Sequence, residues 1–258
     1  MPQPCSGSPA EVDLLRGCVG ADPALDVALP HALVGLVAEG RHRPVVRSYR
    51  PAPTVAFGRR DAFLPGFPDA AAAARRRGFT PVIRGAGGRA AVYDQGCLVL
   101  DEIMPSEDSM GGIHERFSAE ARRQAAALRR LGVDAQVGEV PGEYCPGEFS
   151  VNARGEIKLI GAAQRIIRGA WLFSSVVVVE GAAALRAVLE DVYAALELDW
   201  NPATAGAVAD EAPGVKVEEV RRALLSEYRS RYRLVPTTIG ADALRRAGGL
   251  LERYRVEP

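Results

Sequence analysis

Two residues of this chain have the type and setting for covalent chemistry: Lys158 and, thirteen residues before it, Cys145. Of 32 Lys and Arg residues only Lys158 and Lys216 are lysines. A chain that writes nearly all its positive charge as arginine keeps lysine where a planar guanidinium cannot replace a compact ammonium on a flexible stem. Lys158 lies in Gly155-Glu156-Ile157-Lys158-Leu159-Ile160-Gly161-Ala162-Ala163-Gln164-Arg165, which loses charge after the lysine and turns to small residues. Small residues leave room for a ligand against the backbone, and an ammonium at the rim of such a groove stabilises the oxyanion of an attacked acyl carbonyl. The competing reading is an exposed hairpin lysine of little consequence. Lys216, ahead of Val217-Glu218-Glu219 at a helix start, fits that second description.

Cys145 sits in the loop Glu143-Tyr144-Cys145-Pro146-Gly147-Glu148. A loop thiol near cations can act as a thiolate nucleophile and take an acyl group from a thioester; a free cysteine can equally be a small hydrophobe. Cys97, inside Cys97-Leu98-Val99-Leu100, reads as packing, and Cys5 and Cys18 have no partners. His31, His42 and His114 are scattered and read as structural or solvated, so no triad forms and no general base is visible. Ionising Cys145 then falls to Lys158 or to a neighbour the sequence does not reveal.

The third feature is Arg84-Gly85-Ala86-Gly87-Gly88-Arg89, placed between two strands. It lacks the Gly-Lys-Ser/Thr of a nucleotide-binding P-loop and the following helix of a dinucleotide fingerprint. Its glycines would let backbone amides approach a carboxylate, phosphate or thioester, with Arg84 or Arg89 supplying charge. A tight turn between strands accounts for the glycines equally well.

These residues need elements to hold them. Apolar positions Leu25, Leu29, Leu33 and Leu36 recur at helical spacing after Pro23, predicting a helix over residues 22–38. Short strands are predicted at 45–49 and 54–57, a helix at 69–77, and strands at 80–84, 90–93 and 97–103 around the glycine loop. A helix over 115–131, a strand at 133–137 and a turn-rich stretch at 138–147 follow. A hairpin of 149–152 and 157–164 then places Cys145 in a loop and Lys158 at a strand start. The β-branched run 171–179 predicts a buried strand, and helices are expected at 182–195, 217–232 and 241–254, with a loop at 201–213. Strands and helices interleave without a regular βαβ rhythm, so the class is α/β or α+β, a mixed sheet flanked by helices.

Composition narrows the function. The chain has 258 residues and formal net charge zero, so no general field draws nucleic acid or an anionic membrane. There is no apolar run near the ~18 residues of a membrane span and no basic-then-apolar leader, so a cytoplasmic protein with reduced thiols is expected. Four dispersed cysteines and three histidines make no metal site. The expected organisation is a loose leader over 1–20, a catalytic domain over 21–214, and helices over 215–258 packed on it.

Taken together, three segments resemble the lipoate-protein ligase and octanoyltransferase superfamily, whose catalytic domain is related to that of biotin-protein ligases. Pro53-Thr54-Val55-Ala56-Phe57-Gly58 is similar to its P-T-V/L-x-x-G strand, Arg84 to Asp94 to its R-x-x-G-G-R-A-V-x-H-D loop, and Lys158-Leu159-Ile160-Gly161-Ala162-Ala163-Gln164 to its K-x-x-G-S-A-Q segment. They occur in the family's order. The resemblance implies a biotin/lipoyl protein ligase-like domain with a mixed, largely antiparallel sheet and an acyl chain in a hydrophobic tunnel. It places Lys158 at the acyl carbonyl, and Arg84, Gly87, Gly88, Arg89, Ala90, Asp94, Gly161, Ala162 and Ala163 around the acyl or adenylate group.

Two chemistries occur in that superfamily. Ligases adenylate lipoate with ATP and Mg²⁺ and pass the acyl group to a lysine of a lipoyl domain; transferases take octanoyl from acyl carrier protein through an acyl-cysteine and need no cofactor. Gly87-Gly88-Arg89-Ala90 is closer to the G-G-R-A of the cysteine-dependent transferases than to the G-G-G-A of many ligases, and Cys145 falls near that subgroup's nucleophile. The resemblance therefore implies an acyltransferase acting through Cys145 on a lipoyl carrier domain or a glycine-cleavage H-type protein, with acyl carrier protein as a donor. The alternatives are an ATP-dependent ligase and a non-catalytic acyl- or cofactor-binding homologue. The chain departs from the family at Tyr93-Asp94, where His-Asp is usual, and at Arg168-Gly169, where His-Gly is common.

Overall fold

The computed structural model describes residues 9–20, 22–107 and 111–257. Strand β1 (Glu11–Arg16) leads into helix α1 (Pro23–Ala38), then β2 (Val45–Tyr49), β3 (Thr54–Phe57), a 3₁₀ turn (Asp61–Phe63), α2 (Phe67–Arg76), β4 (Thr80–Ile83), β5 (Ala91–Tyr93) and β6 (Cys97–Ser106). The second half runs α3 (Ile113–Arg129), β7 (Ala135–Val137), β8 (Val151–Ala153), β9 (Ile157–Ile167), β10 (Gly169–Val178), α4 (Ala182–Ala195), α5 (Val208–Glu211), α6 (Val217–Arg229), β11 (Arg233–Thr237) and α7 (Ala241–Gly248). Eight strands form one sheet in the order β11-β1-β2-β6-β10-β9-β8-β7, and β4-β3-β5 form a second. In the large sheet β1 runs parallel to both β2 and β11, and the remaining neighbours are antiparallel. The mixed, largely antiparallel sheet flanked by helices is therefore the observed architecture.

Alternation along the strands sends side chains to two cores on opposite faces. On β6, Cys97 and Ile103 pack with α1, α4 and the small sheet, whereas Leu98, Leu100 and Met104 pack with α3 and α6. Cys97 is accordingly a packed residue, and burial pushes its thiol up to about 12.

Helix α1 shows how the chain repairs a local defect. Asp22 caps it through Ala24 N–H at 2.9 Å and Pro23 opens it, both favoured at a helix start. Pro30 lies inside the helix and has no N–H to give the Asp26 carbonyl four residues back. Arg47 supplies the missing donor from β2, its Nη1 reaching Asp26 O at 3.1 Å.

Two expectations change. Residues 11–16 of the anticipated loose leader form a buried strand between β2 and β11, because Val12 and Leu14 join one core and Leu15 the other; residues 1–8 lie outside the described set. At the other end, residues 233–237 are a strand in the main sheet and not a helix, since Arg231 and Tyr232 turn the chain to pair with β1. The C-terminal segment is thus woven into the sheet.

Candidate active site

Two connections and one strand meet at one cavity of about 660 Å³. The β4–β5 connection brings Arg84, Gly87 and Gly88; the β7–β8 connection brings Cys145; the start of β9 brings Lys158, Gly161, Ala162 and Ala163. Its far wall is apolar, with Val92, Phe117, Phe149, Ile166 and Val176. Phe117 stacks on Phe149 at 5.8 Å between centroids, which keeps that wall in place.

Cys145 is half-buried and its backbone is left-handed, with φ of 43°, an uncommon state for a residue with a Cβ. Bonds on every side hold it there. Cys145 N–H donates to Tyr193 Oη at 2.9 Å, and that hydroxyl donates to Ala90 O at 3.0 Å. Lys158 Nζ donates to the carbonyls of Tyr144 at 3.0 Å and Cys145 at 2.7 Å. Glu143 closes the loop from within: Gly147 N–H and Ser150 Oγ each donate to Oε1 at 2.8 Å, while Oε2 faces Lys158 Nζ at 3.4 Å.

The sulfur lies on donors. Arg89 N–H points to Cys145 Sγ at 3.1 Å, and Arg84 Nη2 stands 3.4 Å away while donating to Arg89 O at 2.6 Å. Such donors complement negative charge on sulfur. Gly88 is required for this approach: its φ is +98°, and a Cβ there would lie 2.5 Å from Arg84 Nη2 and 2.8 Å from Cys145 Sγ. The loop is braced from behind, because a Cβ at Gly58 would come within 1.9 Å of Gly88 O. Asp61, fully buried, ties the two together by accepting from Gly58 N–H at 2.8 Å and pairing with Arg89 at 3.1 Å.

Lys158 is buried, with 2% of its surface exposed, so it is not the exposed hairpin lysine of the competing reading. Burial pulls its ammonium below the ordinary lysine value, and the Glu143 carboxylate opposes that shift. Burial likewise raises the Glu143 carboxyl, against the pull of Lys158. Burial thus works against the charge of both partners where they hold the Cys145 loop.

Most of the residues singled out from sequence converge here, and three take other positions. Arg89 contributes its backbone N–H while its guanidinium turns to Asp61; Ala90 is buried behind the cavity and offers its carbonyl to Tyr193; Asp94 caps the turn into β6 by accepting from Gly96 N–H at 2.8 Å. Glu143, Tyr193 and Asp61 were not foreseen. Glu143 stands two residues before Cys145, so proximity was a usable signal for it alone.

The Lipoyl protein ligase A/B catalytic domain family model matches residues 22–229. This chain belongs to that family. Among relatives, the octanoyl-GcvH:protein N-octanoyltransferase of Geobacillus kaustophilus is 33% identical over 168 residues, covering 65% of this chain and 59% of the relative. The chain thus spans about three-fifths of the length of such relatives. Among solved folds of the ligase family, a lipoate-protein ligase A bound with ATP superposes with a TM-score of 0.75 at 24% identity, over 95% of both chains. The bipartite lipoate protein ligase of Thermoplasma acidophilum gives 0.71 at 23% identity, over 96% of this chain and 93% of that one. At these identities the two structures establish the shared lipoyl ligase fold.

Proposed function

We propose that this chain is an acyltransferase of protein lipoylation, carrying an octanoyl or lipoyl group on Cys145 and passing it to a lysine of a lipoyl carrier domain. One observation carries the reading: Cys145 Sγ sits on the Arg89 N–H and Arg84 at an apolar cavity, with Lys158 anchored on the Cys145 carbonyl. Sγ attacks the carbonyl carbon of a donor thioester; the new C–S bond forms, the old one breaks, and the donor thiol leaves with a proton. The acceptor lysine, having lost its ammonium proton, then attacks the Cys145 thioester; the C–N bond forms and Sγ departs, taking the second proton. Lys158 and the Arg89 N–H stabilise the oxyanion in both steps. Val92, Phe117 and Phe149 receive the acyl chain.

The donor is an acylated carrier, either acyl carrier protein or an octanoylated glycine-cleavage H-type protein of the kind named for the Geobacillus relative. No cofactor takes part in this chemistry. The second reading, an ATP- and Mg²⁺-dependent ligase, is favoured by the shared fold with an ATP-bound ligase. Among the described residues no group of three or more His, Cys, Asp or Glu side chains is placed to hold a metal ion, so Mg²⁺ would arrive with the nucleotide. Among the described residues no helix is long and apolar enough to cross a membrane, and three cysteines are free thiols, which supports placing the reaction in the cytoplasm.

Intact-mass measurement after incubation with octanoyl-acyl carrier protein or octanoyl-H-protein tests the reading. The expected result is one octanoyl adduct on the wild type and none on Cys145→Ala. An undiminished adduct on Cys145→Ala overturns it. Lipoyl-adenylate formed from ATP and lipoate establishes the ligase, and inertness in both assays a binding homologue.

A further inference from the structure

Phe63 is 87% exposed, and among the described residues only Leu244, at 36%, is another exposed large hydrophobic. A lone surface aromatic needs no explanation, but the turn that carries this one is anchored. It ends the 3₁₀ turn that starts at Asp61, and Asp61 is the buried carboxylate bonded to both Gly58 and Arg89 of the catalytic loop. The backbone of the turn is therefore tied to the loop that carries Arg89.

Positive charge gathers beside it. Arg59 and Arg60 precede the turn and are exposed; Arg59, Arg165 and Arg253 all act on Tyr254, whose carbonyl accepts from Ile83 N–H at 2.8 Å in the strand paired with β3. Among the described residues none of these four has a carboxylate within 4.0 Å, unlike Arg43, which pairs with Glu11, and Arg77, which pairs with Asp191. Their convergence is felt by His31, which lies against Gly85 and stacks on Tyr254 at 5.2 Å: burial first, then Arg165 and Arg59, push it down to about 3. Arg165 Nη1 also reaches Gly85 O at 3.2 Å. Like charges held together without counter-charges, in a chain of net charge zero, are a cost that an anionic partner relieves.

We propose that the Arg59–Phe63 turn and the arginines around it form the docking surface for an acidic face of the lipoyl carrier domain, with Phe63 as the apolar anchor. This rests on the transfer reading above, which requires a folded carrier to bring its lysine to Cys145. A small phosphate would satisfy the arginines and leave Phe63 in water; a protein face satisfies both. Interfaces of this kind combine a rigid aromatic anchor with steering charge at the rim.

Calorimetric titration of the full chain with an unmodified lipoyl domain tests it, alongside Cys145 acylation by the small thioester octanoyl-N-acetylcysteamine. Phe63→Asp and the double variant Arg59→Glu/Arg60→Glu should each raise Kd at least tenfold, and wild-type Kd should rise with NaCl. Acylation by the small thioester should stay within twofold of wild type in all variants. Absence of wild-type binding, Kd values within twofold across the variants, or affinity indifferent to NaCl overturns the docking surface. Binding with the expected Kd changes but no acyl adduct on the wild type overturns the transfer reading alone.

Discussion

Arg47 and Lys158 are both buried cations flanked by a carboxylate, yet they are built for different ends. Arg47 has no exposed surface, pairs with the Asp26 carboxylate, donates to Asp26 O at 3.1 Å and Gly17 O at 3.2 Å, and lies 3.8 Å over the Tyr49 ring. Its planar fork matches acceptors on α1 and just past the end of β1. Lys158 faces two successive loop carbonyls and Glu143, and it lines a cavity wide enough for a substrate. A compact ammonium on four methylenes can leave those carbonyls for an acyl oxygen and return. Arginine is thus used where the chain fixes a joint, and lysine where a charge has work on both sides of one.

Exchanging the two cation types breaks the comparison most sharply. Lys158→Arg should lower octanoyl transfer by about a thousandfold or more, on the order of 4 kcal/mol. The guanidinium is too broad for the gap between Tyr144 O and Cys145 O, where Gly161 already yields its side-chain space to the lysine stem. Lys158→Met loses activity and also stability, because it strands Glu143 as a buried unpaired carboxylate. Lys158→Met/Glu143→Gln should recover most of that stability without activity. Transfer rates and denaturant midpoints separate the two effects, and full turnover in Lys158→Arg would remove the case for a mobile ammonium.

What sequence made legible follows the same division. Lysine scarcity and the small residues after it marked Lys158, and the β-branched run at 171–179 marked a core strand, because both signals are local. Burial of Lys158 was hidden, since its carboxylate partner comes from another loop and no periodicity announces it. Asp61 was invisible for a stronger reason: a buried aspartate in a short turn looks like any turn-forming residue until Gly58 and Arg89 are seen around it. Strand β1 was missed because six residues among prolines and glycines carry weak pattern, and its partners lie at both ends of the chain.

Arg47→Met tests the joint itself. It leaves Asp26 and Asp101 buried without a counter-charge and returns the Asp26 carbonyl opposite Pro30 to an unbonded state. The expected loss is about 3–5 kcal/mol of unfolding free energy, with transfer per folded molecule unchanged because Arg47 does not line the large cavity. Urea denaturation gives the first quantity and active-site titration of Cys145 normalises the second. A transfer rate that fell in step with Lys158 variants would mean that the two cations are one network.

Asp101 supplies the finest test, since it is the member of the Arg47 group least well matched. Its Oδ1 accepts from Ser174 Oγ at 2.6 Å, while Oδ2 stands 3.8 Å from Arg47 Nη1 with no hydrogen bond. Burial raises its carboxyl from 3.8 to about 6, against the pull of Arg47 and Ser174. Between those two values the folded protein holds a proton that the unfolded chain has released, so this group lowers stability as pH rises through the window, and the full penalty persists above about 6. Asp101→Asn removes the titration and keeps an acceptor for Ser174. The variant should be more stable than the wild type at pH 7 by about 1–3 kcal/mol, with the advantage fading as pH falls towards 4. The difference between the two urea stability curves isolates this one group. Parallel curves from pH 4 to 8 would show an ordinary carboxylate, matched by Arg47 and Ser174 in spite of its burial.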